Sequence, residues 1–380
     1  MKKENLHLNP KNEFAARLIA FYLPQFHPIP ENDQWWGKGF TEWYNCSKTK
    51  PLFKGHHQPN LPSDLGFYDL RVPDVREKQA ELAKKYGIEG FCYWHYWFNG
   101  KLLLEKPLLD VIKLGKPDFP FCLAWANEPW SRRWTGESLD VLQAQEYGGD
   151  EDHLRHFEWL LPAFKDSRAI RIDGKPVFLI YKAKQIPNIN KMLTLWRHLA
   201  HKHGLPGLYL MSIETTGTYD EDPRQWGFDA AVEFQPHWKK CGEILRKAKH
   251  LFNRFKYKML VLYYRKRWPK LLRVWDYRTL WPKLLMKKER PYPFYPGIFP
   301  RWDNTPRMGA KGLIILNSTP KEYGKWLRQT IKILSSRPKE HRVIFINAWN
   351  EWAEGNYLEP DMKFGYAYLQ ETYRANLKIT

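Results

Sequence analysis

Short apolar segments alternate with helical patterns along the whole chain. Within each segment consecutive residues are apolar, with no alternation of apolar and polar positions, which predicts strands that are buried on both faces. We predict strands at 17–23, 88–97, 119–126, 177–181, 208–213, 230–234, a weak one at 295–299, and 343–348. Apolar residues three or four positions apart predict helices between them at 72–86, 102–114, 150–164, 191–203 and 322–334.

Strand–helix alternation of this kind predicts an α/β fold with a parallel sheet. Eight such units in 380 residues predict a single (β/α)8 TIM barrel with long βα loops. The prediction assigns residues 1–16 to an N-terminal tail and 17–380 to the barrel. A basic helical insertion at about 237–290 falls between strands 6 and 7.

Polar and aromatic residues cluster just after the predicted strands, where the active sites of such barrels lie. The residues expected to contact substrate are Gln25, His27, Trp35, Tyr93, His95, Trp125, Asn127, Glu128, Glu214, Glu233, Trp302, Trp349 and Asn350. Aromatic faces stack on sugar rings, and polar groups fixed nearby recognise hydroxyls. The alternative for each residue is a satisfied polar group at a strand end. Taken together, the residues favour a sugar-binding cleft.

The last predicted strand leads into a segment with two acids, Glu351 and Glu354. Paired carboxyls at a strand end favour general acid/base catalysis. A spacing of three would place them on opposite faces of an extended chain, so a turn after Glu351 is needed to bring them together. Acids at a solvated helix N-terminus are the alternative, although the flanking Trp349 and Trp352 favour a sugar-binding surface.

Basic residues are concentrated in one segment. The net charge is +20, and residues 237–290 contain 18 Lys and Arg against three acids, a surplus of 18 − 3 = +15. Apolar and basic residues interleave at 251–264, which is typical of an amphipathic helix on anionic lipid. A solvated insertion that docks on the barrel explains the same pattern. No nucleic-acid motif accompanies the charge, so we expect no nucleic-acid partner.

Other sites and compartments receive little support from the sequence. Residues 1–17 are polar, which predicts no secretory signal, and no run of about 20 apolar residues predicts a membrane span. Four scattered cysteines favour neither zinc nor disulfides. His56 and His57 have no carboxylate at helical spacing, so we expect no metal and no cofactor. The expected location is cytoplasmic, peripheral to the inner membrane if the insertion binds lipid.

Five segments in order resemble a known family. They are 21–27 (FYLPQFH), 35–43 (WWGKGFTEW), 90–97 (GFCYWHYW), 125–128 (WANE) and 349–355 (WNEWAEG). They resemble the WbsX family of bacterial surface-polysaccharide loci, whose members are commonly labelled glycosyltransferases. More distantly they resemble glycoside hydrolase family 99, (β/α)8 barrels that cleave α-mannosidic bonds with retention. That family ends its last strand in Glu-Trp-His-Glu, and here Ala353 replaces the histidine.

The resemblance implies a role for each acid. Glu351 would remove the proton from a sugar 2-hydroxyl, whose oxygen then displaces the leaving group through an epoxide-like intermediate. Glu354 would be the general acid and then the base for the acceptor. The expected substrate is an oligosaccharide or polysaccharide of O-antigen or lipopolysaccharide metabolism.

Three functions stay open at this point. The first is a retaining hydrolase or transglycosylase. The second is a nucleotide-sugar-dependent glycosyltransferase, but the Asp-x-Asp match at 220–222 lacks a glycine-rich turn nearby. The third is a non-catalytic carbohydrate-binding barrel, which would be expected to lack one of the acids. The sequence does not specify the sugar, linkage, acceptor or oligomeric state.

Overall fold

The computed structural model describes residues 13–132, 140–248, 272–286 and 289–378. Its centre is a ring of eight parallel strand positions. In chain order, these barrel strands are β1 Arg17–Tyr22, β2 Gly90–Phe98, β3 Phe121–Trp125, β4 Lys175–Ile180, β5 Tyr209–Glu214, β6 Ala230–Glu233, β7 in two pieces (Phe294–Tyr295 and Gly297–Ile298), and β8 Val343–Ile346. Each predicted strand is present, and the predicted (β/α)8 barrel is confirmed.

The divided strand β7 completes the ring. Its first piece pairs with β6 and its second piece with β8, which pairs in turn with β1. At Gly297 the backbone of β6 approaches so closely that an added Cβ would lie 1.9 Å from the carbonyl oxygen of Glu233. Only glycine fits this position, which explains why the seventh strand is weak in the sequence.

Helices lie between the strands at Pro30–Trp36, Glu42–Lys48, Pro73–Lys85, Lys106–Leu114, Gly149–Lys165, Ile189–Lys202, Trp238–Ala248, Tyr277–Leu284, Thr305–Met308, Pro320–Leu334 and Ala367–Asn376. All five predicted helices are present, with one difference at the start of the second. Residues Lys101–Leu103 pair with β2 as a short strand, and Leu104 has a φ of 60°. The chain reverses there, so the helix begins later, at Lys106, with a proline in its first turn.

Alternation along β1 shows how the sequence builds two cores. Ile19 and Phe21 join a cluster drawn from the strands, which fills the barrel interior. Leu18, Ala20 and Tyr22 join the larger cluster between the strands and the helices. Because both faces are buried, the strand is apolar at every position.

Much of the basic insertion lies outside the described residues, including the predicted amphipathic segment 251–264. Its described flanks are the helix Trp238–Ala248, the short strand Arg273–Asp276 and the helix Tyr277–Leu284. Cys241 and Leu280 on these helices are fully buried. The flanks therefore pack on the barrel, which fits the alternative of an insertion that docks on it. No helix in the described part of the chain is long and apolar enough to cross a membrane.

Candidate active site

A cavity of about 620 Å³ opens at the carboxyl ends of the barrel strands. Its walls are formed by Leu23, Trp94, Tyr96, Ala126, Glu128, Tyr181, Phe234, Pro236, Trp238, Gly242, Arg273, Trp275, Trp302, Asn304, Arg307, Met308, Leu313, Asn347, Glu351 and Glu354. Every barrel strand except β5 contributes a residue at or just beyond its end. This is the position at which barrel enzymes carry their active sites.

The loop after β8 brings the two acids to one side. Residues Trp352–Glu354 form a single 3₁₀ turn, and Gly355 follows with a φ of 59°. A Cβ at Gly355 would lie 2.9 Å from the carbonyl oxygen of Asp303, so a larger residue would be strained and crowded there. The predicted turn after Glu351 is confirmed, and both Glu351 and Glu354 line the cavity.

Asn350 fixes the start of this loop. Its side-chain oxygen accepts a hydrogen bond from the Leu23 amide at 2.7 Å, and its side-chain nitrogen donates to the Leu23 carbonyl at 3.0 Å. The ends of β8 and β1 are therefore joined directly below the acids. Asn350 was predicted to contact substrate, but it is fully buried and acts through the backbone.

Arg307 connects the carboxyl groups. One terminal nitrogen donates to Glu354 Oε1 at 2.8 Å, and the other donates to Glu351 Oε1 at 2.8 Å. The second nitrogen also lies 3.1 Å from Glu42 Oε1. Glu42 and Arg307 are buried, whereas the Glu354 side chain is 25% exposed and the Glu351 side chain 9%. Three carboxyls thus share one guanidinium at the cavity wall.

The electrostatics favour a retained proton. Burial raises the pKa values of Glu351 and Glu354, and the Arg307 charge opposes that rise only in part. Burial lowers the pKa of Arg307, but the surrounding carboxylates outweigh it and the net shift is upward, so the guanidinium stays charged. Three ionised carboxylates around one cation would leave an excess of two negative charges. One carboxyl that stays protonated can act as an acid while its neighbour acts as a base.

A further buried carboxyl, that of Glu359, supports the loop that carries the acids. Glu359 accepts hydrogen bonds from Trp352 Nε1 at 2.6 Å, Tyr68 Oη at 2.8 Å and Gln79 Nε2 at 2.7 Å. Burial raises its pKa to about 7, and these donors oppose the rise. Trp352 lies between the two acids in the sequence and stacks on Tyr357 with ring centroids 3.7 Å apart. The turn that carries the two acids is therefore held in place through Trp352.

Aromatic rings cover much of the cavity wall. Trp94, Tyr181 and Phe234 meet edge to face, with ring centroids 5.6 to 5.8 Å apart. Trp238 contacts Trp302 in the same way at 4.7 Å. Such rings offer the flat apolar faces on which sugar rings stack.

Four of the predicted site residues line this cavity, namely Glu128, Trp302, Glu351 and Glu354. Gln25 lies just behind the wall, beside Arg307, where it borders a small cavity of about 30 Å³. It also hydrogen bonds to Tyr96, which faces the main cavity. Gln25 therefore contacts the site from behind.

His95 and Trp125 lie on the other side of their strands. His95 stacks on Trp159 with ring centroids 4.7 Å apart, and its Nε2 is 2.8 Å from Nε2 of His156. Burial lowers the pKa of His95 to about 3. Trp125 is fully buried, and its indole donates to the Trp97 carbonyl. Neither residue fits the predicted contact with sugar, because side chains alternate along a strand and Trp94 takes the inward position.

Asn127 ties two strand ends together. Its amide nitrogen donates to the Lys182 carbonyl at 3.1 Å, and its oxygen accepts from the Lys182 amide at 2.7 Å. The side chain is fully buried, so the predicted role in binding hydroxyls gives way to a backbone role like that of Asn350.

Two further predicted acids are held in buried ion pairs. Glu214 accepts from Arg290 at 2.6 Å, and Glu233 accepts from Lys240 at 2.9 Å. Neither carboxyl reaches the cavity wall. Both strand ends are thereby tied to described residues of the basic insertion.

The remaining predicted residues, His27, Trp35, Tyr93 and Trp349, pack away from the cavity wall. His27 is 1% exposed, and burial lowers its pKa to about 4. Tyr93 and Trp349 belong to the core between strands and helices, and Trp35 packs against Trp130. Their expected contact with substrate does not fit these positions.

The sequence reasoning missed Arg307, Tyr96 and Tyr181. Tyr181 directly follows β4, so the strand-end rule that selected Trp302 would also have selected it. Arg307 is 44 positions from Glu351 and carries no spacing signal. Only the fold brings the two residues together.

The two histidines considered as metal ligands also have a clear location. His56 is held by the protein, since its Nδ1 accepts from the Leu52 amide and its Nε2 lies 2.8 Å from Asp303 Oδ2. His57 is exposed. Among the residues that the structure describes, one group has metal-compatible geometry, formed by Asp173, Glu340 and His341. It lies before strands β4 and β8, at the opposite end of the barrel from the cavity.

Solved structures share this fold. A protein described as glycoside hydrolase-like aligns with a TM-score of 0.59 and 14% identity, covering 100% of this chain and 98% of its own. The GH99 endo-alpha-mannosidase from Bacteroides thetaiotaomicron aligns with a TM-score of 0.54 and 15% identity, covering 94% and 96%. At these identities the likeness concerns the fold, which supports the (β/α)8 assignment.

Sequence relatives are much closer. Two proteins called "Uncharacterized protein WxcX", from two strains of Xanthomonas campestris pv. campestris, are 44% and 43% identical over 361 residues. These alignments cover 95% of this chain but 49% of each relative, so the chain spans about half their length. Residues 18–372 match the family described as "Glycosyltransferase WbsX". The chain belongs to this WbsX family of carbohydrate-active proteins.

Proposed function

We propose that this protein cleaves or transfers glycosidic bonds with retention, using Glu351 and Glu354 as its acid/base pair. The observation that carries the proposal is the meeting of both carboxyls with Arg307 at the wall of an aromatic cavity. The proposed substrate is a bacterial surface polysaccharide, such as O-antigen or lipopolysaccharide, or its lipid-linked precursor. The family membership supports this substrate class.

The proposed chemistry has two steps. In the first, the Glu351 carboxylate takes the proton of a sugar 2-hydroxyl, the freed oxygen displaces the leaving group, and Glu354 protonates that group. In the second, Glu354 deprotonates the acceptor, which opens the epoxide-like ring, and Glu351 returns its proton to the 2-oxygen. Two inversions give net retention. The greater exposure of Glu354 suits exchange with leaving group and acceptor.

A nucleotide-sugar transferase is the second candidate, and the description of the family favours it. Among the described residues that line the cavity, no aspartates form the usual Asp-x-Asp. Asp222 pairs with Arg224 at 2.7 Å, and Asp220 lies 3.5 Å from Arg290. The geometry therefore favours hydrolysis or transglycosylation. A carbohydrate-binding barrel without activity would not need two acids with raised pKa values.

The proposed location is the cytoplasmic face of the inner membrane, reached through the basic segment 239–290. The surplus of 18 − 3 = +15 charges between residues 237 and 290 supports this proposal. Each Lys or Arg near anionic lipid contributes about 1 kcal/mol. The test is co-sedimentation with phosphatidylglycerol vesicles at low and high salt. Binding that is absent at low salt, or unchanged when residues 249–271 are deleted, would contradict the proposal.

One pair of incubations tests the function. The protein is mixed with α-linked oligosaccharides, with and without added acceptor sugars, and separately with nucleotide sugars. We expect new reducing ends or elongated products from the oligosaccharides and no release of nucleotide. Nucleotide release with no reaction of the oligosaccharides would replace the first candidate with the second.

A further inference from the structure

The described flanks of the basic insertion form one wall of the cavity. Trp238 and Gly242 on the helix Trp238–Ala248 and Arg273 and Trp275 on the strand Arg273–Asp276 all line it. The strand is held in place by parallel pairing with Leu313–Leu316. These described flanks are therefore part of the proposed substrate cleft.

Arg273 stands out on this wall. Its side chain is exposed to the cavity, and no carboxylate of the described residues lies within ion-pair distance of it. Two other cations have carboxylate partners. Arg307 is shared by three carboxyls, and Lys240 is paired with Glu233 at 2.9 Å. The strand fixes the backbone of Arg273, whose amide donates to the Gly312 carbonyl at 3.0 Å. A guanidinium on a fixed strand, facing a cleft, is available for an anionic group of a ligand.

The rings beside Arg273 indicate what carries that anion. Trp238 is 40% exposed, an unusual exposure for so large a side chain. It contacts Trp302 at 4.7 Å and Trp275 at 5.9 Å between ring centroids. Stacking on a ring and pairing with a guanidinium are both satisfied by one sugar that bears a negative charge.

We propose that the cleft binds an acidic glycan and that Arg273 recognises an anionic oxygen group, a carboxylate or a phosphate, on a sugar stacked against the insertion. This inference rests on the proposed function, because it assigns a substrate class to the same cleft. Arg273 is a specificity residue on the cleft wall and takes no part in proton transfer. The anionic sugar occupies the part of the cleft next to the insertion.

Binding to matched pairs of glycans tests the proposal. The Glu354→Gln variant, whose turnover should be about 10²–10⁴-fold slower, is titrated with α-linked uronic-acid oligosaccharides and with their neutral methyl esters. A phosphorylated oligosaccharide and its dephosphorylated product form a second arm. In one arm we expect the acid to bind roughly ten- to a hundredfold more tightly, since a charge-assisted hydrogen bond contributes about that ratio. The arm that responds identifies the anion.

Two variants added to Glu354→Gln make the assignment specific. Arg273→Gln should weaken binding of the acidic form much more than binding of the neutral form, and so remove the preference. Arg278→Gln is the matched control, because Arg278 lies in the same insertion, is 59% exposed and is outside the cavity wall. It removes the same charge and should preserve the preference.

Failure of this inference differs from failure of the proposed function. If neutral and acidic glycans bind equally, or if Arg273→Gln keeps the preference, Arg273 is not an anion site although the cleft still binds sugar. If no glycan in either arm binds at all, both the inference and the proposed function are contradicted.

Discussion

The carboxyl groups of Glu351 and Glu354 meet one shared guanidinium, each at 2.8 Å. Both carboxylate charges therefore act on the same cation, Arg307. Removal of one carboxyl should strengthen the hold of the guanidinium on the remaining carboxyl and lower its pKa. The pair should titrate as a unit, and a pH profile of activity should report two values that belong to the pair.

Replacement of Arg307 by Met should destabilise the protein strongly at neutral pH. Three carboxyls would lose their buried cation, and breaking such a cluster costs about 3–5 kcal/mol. Without the guanidinium the folded-state pKa values of Glu351 and Glu354 rise further above their unfolded values. Protonation then restores stability, so the loss should shrink as pH falls from 8 to 5. Urea unfolding at both pH values measures it.

Arg278→Met serves as the control for that experiment, since Arg278 is largely exposed and should change stability by less than about 0.5 kcal/mol. A loss for Arg307→Met no larger than the control, or one that grows at low pH, would show that the carboxyls do not depend on this cation.

Glu359 should make stability depend on pH in the opposite sense from a salt-bridged acid. Its pKa is raised to about 7 by burial, whereas an unfolded Glu has about 4.3. Between these values the folded state holds the extra proton, so stability falls as pH rises through the interval. The total is on the order of 3 kcal/mol. Compared with Glu359→Gln, the wild type should lose that much unfolding free energy between pH 4 and 8, and parallel profiles would contradict the assignment.

Most of the fold could be predicted from the sequence because its signal is local. The buried strand β8 is apolar at every position, and the helix Pro320–Leu334 repeats apolar residues every three or four. The start of the helix Lys106–Leu114 was missed, because the reversal at Leu104 depends on pairing with β2. Non-local pairing of that kind leaves no periodic pattern in the sequence.

The site was harder to predict. The rule that active-site residues follow the strands gives their place in the chain, but it does not tell which way each side chain points. Trp94 and His95 are adjacent near the end of β2, yet only Trp94 faces the cavity. The register of the barrel decides which face is which, and a shift of one residue would exchange them. Asn127 and Asn350 follow strands and look like hydroxyl-binding groups, but both bind backbone. Such residues position the site without touching its contents.

Trp238→Ala should weaken glycan binding more than it affects stability. The ring is 40% exposed on the cavity wall, so its removal costs little core but takes away a stacking face. Loss of about 0.5–1.5 kcal/mol corresponds to roughly two- to tenfold in the dissociation constant. Isothermal titration calorimetry with an oligosaccharide that the wild type binds measures the change in the dissociation constant.

Trp125→Phe is the matched comparison, because Trp125 is fully buried outside the wall. It should lower the melting temperature and leave the dissociation constant near that of the wild type. The reverse pattern for the two tryptophans would mean that the cavity wall has been assigned incorrectly.

The roles of the two acids can be separated by the leaving group. Fluoride departs without a proton, so a glycosyl fluoride with a free 2-hydroxyl does not need the general acid. Glu354→Gln should keep much of the first-step rate on the fluoride, whereas Glu351→Gln should lose it, since the 2-hydroxyl then lacks its base. Fluoride release, followed with an ion-selective electrode, gives the first-step rate of each variant. If Glu351→Gln keeps its rate on the fluoride and Glu354→Gln loses it, the two roles are the reverse of those proposed.

The most direct test of the central claim is turnover of an α-linked oligosaccharide by the wild type, Glu351→Gln and Glu354→Gln, measured as released or transferred sugar with melting temperature recorded for each. A general acid or base supplies about 10²–10⁴-fold in rate. We expect each variant to lose activity by that factor while remaining folded. A folded variant of either residue that turns over at close to the wild-type rate would contradict the account.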